Sequence, residues 1–244
     1  MISVITPTYN TELRTLARTY TSLTNQTYAN WQWIVFDDST SPAVWDWLRT
    51  IDDSRVECYQ AGRHSGNIGH VKRCAFMLGR GRYLVELDHD DELMPQALER
   101  ISSCTAGFVF SNWSEINAQG QSCRYPEGWA FGYGSDYWDG ERWVCKAPPI
   151  NRTTASHIVS VPNHVRAWRA DVYRDLGGHD ATLPVCDDYE LILRTILATD
   201  WQHLNELLYI QHIGNTTQRK RNAEIQARVT EIYQTYKGRL DAML

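Results

Sequence analysis

Residues 83–91 read Tyr-Leu-Val-Glu-Leu-Asp-His-Asp-Asp, an apolar run that stops abruptly in carboxylates. The aromatic, β-branched and leucine content of Tyr83 to Leu87 predicts a buried strand. Asp88 and Asp90 lie two apart, so continued strand geometry would put both on one face. Open α/β sheets bind ligands beyond the carboxyl ends of their strands. Two hard oxygen ligands there suit Mg²⁺ or Mn²⁺ bridging a diphosphate. A competing reading is a solvated acidic turn, because Asp91 and Glu92 also suit a helix N-terminus ahead of Pro95.

The stretch belongs to an alternating pattern. Strands are predicted at Ile2–Thr6, Trp31–Phe36, Arg55–Tyr59, Arg82–Leu87 and Gly107–Phe110. Helices are predicted between them, at Leu13–Leu23, Val44–Ile51, His70–Leu78 and from Pro95 onward. Strands alternating with helices imply a parallel, doubly wound sheet. The strands ending at 36 and 87 both run into paired aspartates, so a ligand straddling the carboxyl edge would meet both.

From Asn112 to about Val161 the alternation dissolves into Gly, Pro, Trp and Tyr. The segment is long for a connection inside a compact domain, and too aromatic for disorder. Its rings either stack on sugar faces or form a minor core, and both readings stay open. Five of the chain's ten tryptophans fall between Trp113 and Trp168. Beyond it, Ala167–Leu176 is predicted helical and ends at Gly177-Gly178. Asp187 opens a further helix in which Glu190 and Arg194 are spaced to pair. Leu204–Ile210 is predicted as a strand and Asn222–Tyr236 as a closing amphipathic helix. No linker or repeat divides residues 1–244, so a single domain is expected, with a first half at 1–112 and a second at 113–244.

A formal net charge of −5 argues against nucleic acid as a partner. No stretch approaches the roughly 18 apolar residues of a membrane span. The start, Met1-Ile2-Ser3-Val4, reads as a first strand and not a signal peptide, so a cytoplasmic protein with reduced thiols is expected. The six cysteines form no Cys-x-x-Cys pair, which argues against a zinc knuckle. In that setting the sequons at Asn112, Asn151 and Asn215 carry no meaning for glycosylation.

The motifs fall in a fixed order. Pro7-Thr8-Tyr9-Asn10 ends the first strand, and Asp37-Asp38 the second. Lys72 follows Gly66-Asn67-Ile68-Gly69, and Asp88-His89-Asp90-Asp91 comes next. Gly177-Gly178-His179-Asp180 then precedes Asp187-Asp188-Tyr189-Glu190-Leu191 and Arg194. This set resembles the inverting GT-A-fold glycosyltransferases of the large bacterial polysaccharide-synthesis family, and the likeness covers nearly the whole chain.

The resemblance implies an α/β fold with a Rossmann-like, mostly parallel sheet flanked by helices and an aromatic-rich acceptor-side segment. It implies metal-dependent transfer from a nucleotide-sugar, a UDP-sugar above all, to a saccharide or glycolipid hydroxyl. Tyr9, with Pro7 and Thr8, would flank the base, and Asp38 would accept a hydrogen bond from uracil N3. Lys72 stands where the family has an arginine near the base and phosphates, keeping the charge but losing the fork. Asp88 would meet the ribose and the metal's water shell, and Asp90 would ligate Mn²⁺ or Mg²⁺. His89 lies within this donor-binding motif, its ring expected off the ligand face by strand alternation. His212 would add a metal or diphosphate contact.

Asp188 matches the general base, with Asp187 in place of the family's glutamate. The alternative for this pair is a helix cap and a dipole-favoured acid. Arg219, Lys220 and Arg221 would close over the diphosphate or form a solvated basic turn. Arg166 would face the phosphates or the acceptor. Glu86, inside a buried strand, needs a partner such as Lys72 or Arg73. Peripheral contact with the inner face of a membrane stays open, since similar enzymes work on lipid-linked acceptors.

The chemistry requires these residue types. A divalent cation stabilises the charge that develops on a departing diphosphate, and a carboxylate takes the proton of the attacking hydroxyl. Three rivals fit less well. A sugar-nucleotide pyrophosphorylase would carry a glycine-rich loop where Pro7-Thr8-Tyr9-Asn10 has none. An aspartyl phosphatase would want a hydroxyl where Asp91-Glu92-Leu93 stands. A carbohydrate-binding module would not need the distributed aspartates.

Overall fold

The computed structural model describes residues 1–158, 160–214 and 217–243, the side chains of 217–220 excepted. The first four strands are β1 (Ile2–Thr8), β2 (Trp31–Asp37), β3 (Val56–Gln60) and β4 (Tyr83–Glu86). Helices α1 (Leu13–Thr24), α2 (Ala43–Leu48) and α3 (Ile68–Met77) connect them. Then come β5 (Glu92–Leu93), α4 (Ala97–Ser102) and β6 (Phe108–Ile116). The hairpin β7 (Ser135–Trp138) and β8 (Trp143–Lys146) precedes α5 (Arg152–Ala155). Strand β9 (Arg166–Arg169), α6 (Ala170–Asp175), α7 (Asp187–Ala198), β10 (Trp201–His212) and α8 (Thr217–Met243) complete the chain.

The main path of the sheet runs β3-β2-β1-β4-β9-β6-β10-β5, with β8 also paired to β6. The first four strands are parallel, as the alternation requires. Every residue of β1 and β4 is buried, which explains why both read as continuous apolar runs and not as alternating ones. Asn67 caps α3 by accepting a hydrogen bond from the His70 N–H at 3.1 Å. A Cβ at Gly69 would meet the Asp180 and Leu183 carbonyl oxygens at 2.3 and 2.7 Å, so only glycine lets α3 press against the segment leading to Asp187.

Several expectations are corrected. The span 167–176 is not one helix: Arg166–Arg169 is a strand, and the helix begins at Ala170. β9 inserts antiparallel between β4 and β6, and β5 pairs antiparallel with β10, so the sheet is mixed. β4 ends at Glu86, which places Asp88 to Asp90 in a turn where strand alternation no longer orients them. His212 is the last residue of β10 instead of following it.

The region after Asn112 also holds more order than expected, because β6 continues to Ile116 and the β7–β8 hairpin folds back on it. Tyr125 and Trp129 stack there at 4.6 Å, and Trp113 meets Trp129 edge-on at 5.8 Å. These rings extend the main core, in which Trp113 is buried. Phe131, Tyr133, Tyr137 and Trp138 stay exposed. Among the described residues no helix is long and apolar enough to cross a membrane.

Candidate active site

A cleft of about 900 Å³ opens where β1 and β4 end and α7 begins. Pro7, Lys72, Asp88, His164, Asp188 and His212 are among its walls.

At the end of β2 the buried Asp38 carboxylate accepts hydrogen bonds from the Ser65 N–H and hydroxyl, both at 3.0 Å, and contacts His64 Nδ1 at 2.9 Å. Tyr9 stacks on His64 with ring centres 4.5 Å apart, while nearly half of its surface stays open. Thr8 turns inward and donates to Asp37 at 3.0 Å, and Asp37 also accepts the Ser39 N–H. Asp37 therefore braces the turn before α2 and does not cap the helix.

The turn after β4 gathers carboxylates. Asp91 is buried, accepting from the Tyr209 hydroxyl at 2.8 Å and the His212 N–H at 2.7 Å. Burial, together with the charges of Asp88 and Asp90, holds its carboxyl well above the usual range. Asp88 Oδ2 lies 3.5 Å from His164 Nε2. Asp88, Asp91 and His164 each offer a ligand atom within 4.8 Å of one another. Asp88 and Asp90 press negative charge on the buried Asp91 carboxyl, and a divalent cation would relieve it. Hard oxygens beside an imidazole fit Mn²⁺ or Mg²⁺.

Asp90, the ligand expected from sequence, has a side chain 44% exposed and is not in this triad. The His212 ring turns to Glu92 Oε1 at 2.7 Å, and its backbone holds Asp91. His89 Nδ1 sits 3.8 Å from Asp90.

Beneath the cleft runs a buried seam of charge. Register places Glu86 of β4 opposite Arg166 of β9, and Arg166 Nε lies 2.8 Å from Glu86 Oε2. Lys72 Nζ donates to Glu86 Oε1 at 2.6 Å, so Glu86 finds the partner it required and Lys72, on the cleft wall, turns its ammonium to Glu86. Arg166 Nη1 donates to Asp188 Oδ2 at 2.8 Å, and the Tyr189 N–H bonds Asp188 Oδ1 at 2.8 Å.

Burial pushes Asp188 upward, but Arg166 and Lys72 outweigh it and hold the carboxyl at about 2. Burial dominates at Asp187, whose carboxyl is pushed up to about 7 despite Lys72 nearby. Two adjacent acids thus face opposite environments. Cys186, just before them, adopts a left-handed backbone with φ of 61°, a strained conformation for a side chain with a Cβ.

Sequence reasoning passed over His64, His164 and Tyr209 as site residues, and left Arg166 between two roles. The sequence carried no signal for the packing of β9, which brings His164 and Arg166 to the cleft. Of the proposed basic flap, the side chains of Arg219 and Lys220 lie outside the described residues, as does Asn215. Arg221 donates to the Pro184 carbonyl at 3.3 Å.

The chain is similar to known proteins in sequence and in fold. Residues 3–103 match the family described as Glycosyl transferase family 2. Over 91 residues the chain is 36% identical to the Escherichia coli UDP-Glc:alpha-D-GlcNAc-diphosphoundecaprenol beta-1,3-glucosyltransferase WfaP, covering 37% of this chain and 36% of that relative. The chain therefore spans about a third of the length of that relative. Against the Escherichia coli putative colanic acid biosynthesis glycosyl transferase WcaA, identity is 25% over 87% of this chain and 73% of the relative. In fold, the chain resembles the crystal structure of S. aureus TarS 1-349 in complex with UDP-GlcNAc, with a TM-score of 0.68 at 16% identity, covering 95% of this chain and 66% of that one. Residues 3–103 thus match Glycosyl transferase family 2, within a chain whose α/β fold is of the GT-A type that its motifs had implied.

Proposed function

We propose that this protein is a metal-dependent, inverting glycosyltransferase that moves a sugar from a nucleotide-sugar, a UDP-sugar in the first instance, to a saccharide or glycolipid hydroxyl. The observation that carries this reading is the opposition across one cleft of a crowded carboxylate turn at Asp88–Asp91 and an ionised Asp188.

Tyr9, Pro7 and Asp38 form the nucleobase end, with His64 now beside them. Asp88, Asp91 and His164 would hold Mn²⁺ or Mg²⁺, with Asp90 the further ligand that the family resemblance implies. When bound, that cation supplies Lewis-acid stabilisation to the leaving diphosphate. Asp188, ionised near neutrality, accepts the proton of the attacking hydroxyl. Lys72 acts on the donor through the field of the seam, because its ammonium is committed to Glu86.

Tyr125, Asn163 and Gln211 line the same cleft and face the acceptor. The name of WfaP puts a diphosphoundecaprenol in that relative's substrate. This supports a glycolipid acceptor here, reached from the cytoplasmic side with peripheral contact at the membrane.

Calorimetry of UDP with and without Mn²⁺ tests the reading. It is followed by a screen of UDP-, GDP- and dTDP-sugars by thermal shift and nucleotide release. Metal-enhanced UDP binding is expected. Its absence in the wild type would sink the proposal.

A further inference from the structure

We infer that Arg166 is a positioning residue that sets the base Asp188 against the donor's diphosphate, an inference that rests on the reading of Asp188 as the base. Arg166 is 5% exposed, and the three nitrogens of its planar fork approach three different partners. Nε meets Glu86 at 2.8 Å, Nη1 meets Asp188 at 2.8 Å, and Nη2 lies 3.2 Å from His164 Nε2. That same imidazole nitrogen is 3.5 Å from Asp88. One rigid plane therefore spans the floor from the base to the carboxylate turn.

Glu86 by itself does not call for Arg166. Glu86 already holds the Lys72 ammonium at 2.6 Å, so a second cation is not needed to neutralise it. Arg166 adds direction. Glu86, locked inside β4 and directly opposite in register, holds the guanidinium from behind by charge, at ion-pair distance. The guanidinium in turn fixes one oxygen of Asp188, and the Tyr189 N–H fixes the other. Each carboxylate oxygen keeps a second lone pair for the acceptor proton. The base is thereby held by a strand in mid-sheet, although it sits at the tip of α7.

The inference is tested with UDP-glucose as donor probe, Mn²⁺ present, following UDP release by the whole chain, with UDP calorimetry and melting curves alongside. Arg166→Met should lower kcat by roughly 100-fold, the scale of a misplaced catalytic group. KM for the donor and the affinity for UDP should stay within about threefold. Arg166→Lys keeps the charge without the fork and should recover no more than about a tenth of the lost rate.

Arg166→Met removes one of the two cations on Glu86 and can fail to fold, so the double variant Glu86→Gln/Arg166→Met provides the second arm. Glutamine at 86 keeps an acceptor for Lys72, which also has Asp187 at 3.8 Å, so no buried cation is left unpaired. This variant should melt close to the wild type yet stay slow. Recovery of the wild-type kcat in the double variant would show that Arg166 only balances Glu86 and would overturn the inference. A raised KM with unchanged kcat would make Arg166 a donor contact and would overturn it equally. If the wild type itself neither binds UDP nor releases it, the failure belongs to the reading of the site as a glycosyltransferase, not to Arg166.

Discussion

Two acidic clusters face the same cleft, and they are compensated in opposite ways. In the seam, Glu86, Asp187 and Asp188 have Lys72 and Arg166 among them, and Asp188 is ionised in consequence. In the turn, Asp88, Asp90 and Asp91 crowd together, and the buried carboxyl of Asp91 is driven upward by its neighbours. A cluster that carries its own cations is ready to accept a proton. One left negative is ready to accept a cation from solution. The difference divides the chemistry between two ends of one cavity.

The comparison breaks most visibly at Asp188. Asp188→Asn keeps the shape and the Arg166 contact but removes the base. UDP release should fall roughly 1,000-fold, while calorimetry finds UDP affinity unchanged. A large loss of affinity instead would place Asp188 in the donor site. Next comes the turn. Mn²⁺ at about 100 times its Kd should stabilise the wild type by about 2.7 kcal/mol, visible as a higher melting temperature. Asp88→Asn and Asp91→Asn should abolish the shift. Asp90→Ala separates the ligand set expected from sequence from the one the geometry gathers, since only the former requires Asp90. A shift that survives all three substitutions would remove the cation from the turn.

A smaller effect lies behind the seam. Burial first, then Lys72, lowers the pKa of His179 to about 3. It is neutral in the folded protein, but charges in the unfolded chain below its ordinary value near 6.5. The unfolded state then binds more protons, so this contribution to stability is whole above pH 6.5 and is lost as pH falls. About 2 kcal/mol should go between pH 6.5 and 5. Asp187, raised to about 7, acts in the opposite sense over the same window. The difference in slope between wild type and His179→Asn in urea unfolding isolates the histidine, and equal slopes would refute it. The smallest expected effect is at the base end. Tyr9→Ala should weaken UDP binding by about 1.4 kcal/mol, roughly tenfold, as for lost stacking on a base. An unchanged affinity would mean that the Tyr9–His64 stack does not hold the nucleobase.

Much of the donor half was legible in the sequence. Buried parallel strands write themselves as apolar runs, so β1, β2 and β4 stand out, as do the polar residues where they stop. Arg166-Ala167-Trp168-Arg169 gave no such signal. Two arginines flanking two apolar residues fit a helix as well as a strand, and what makes them a strand is the pair of edges offered by β4 and β6. The aromatic region misled for a related reason. Trp113, Tyr125 and Trp129 are separated along the chain and meet only when the β7–β8 hairpin folds back onto β6.

The sequence by itself determined the alternating architecture, the carboxylates at the strand ends and their order along the chain, because burial and turn chemistry are local constraints on residue type. Which of those carboxylates gathers beside His164, and which is steered by Arg166, was decided only when β9 entered the sheet. Its side chains are placed by register with β4, and register is a property of two strands that no single segment carries.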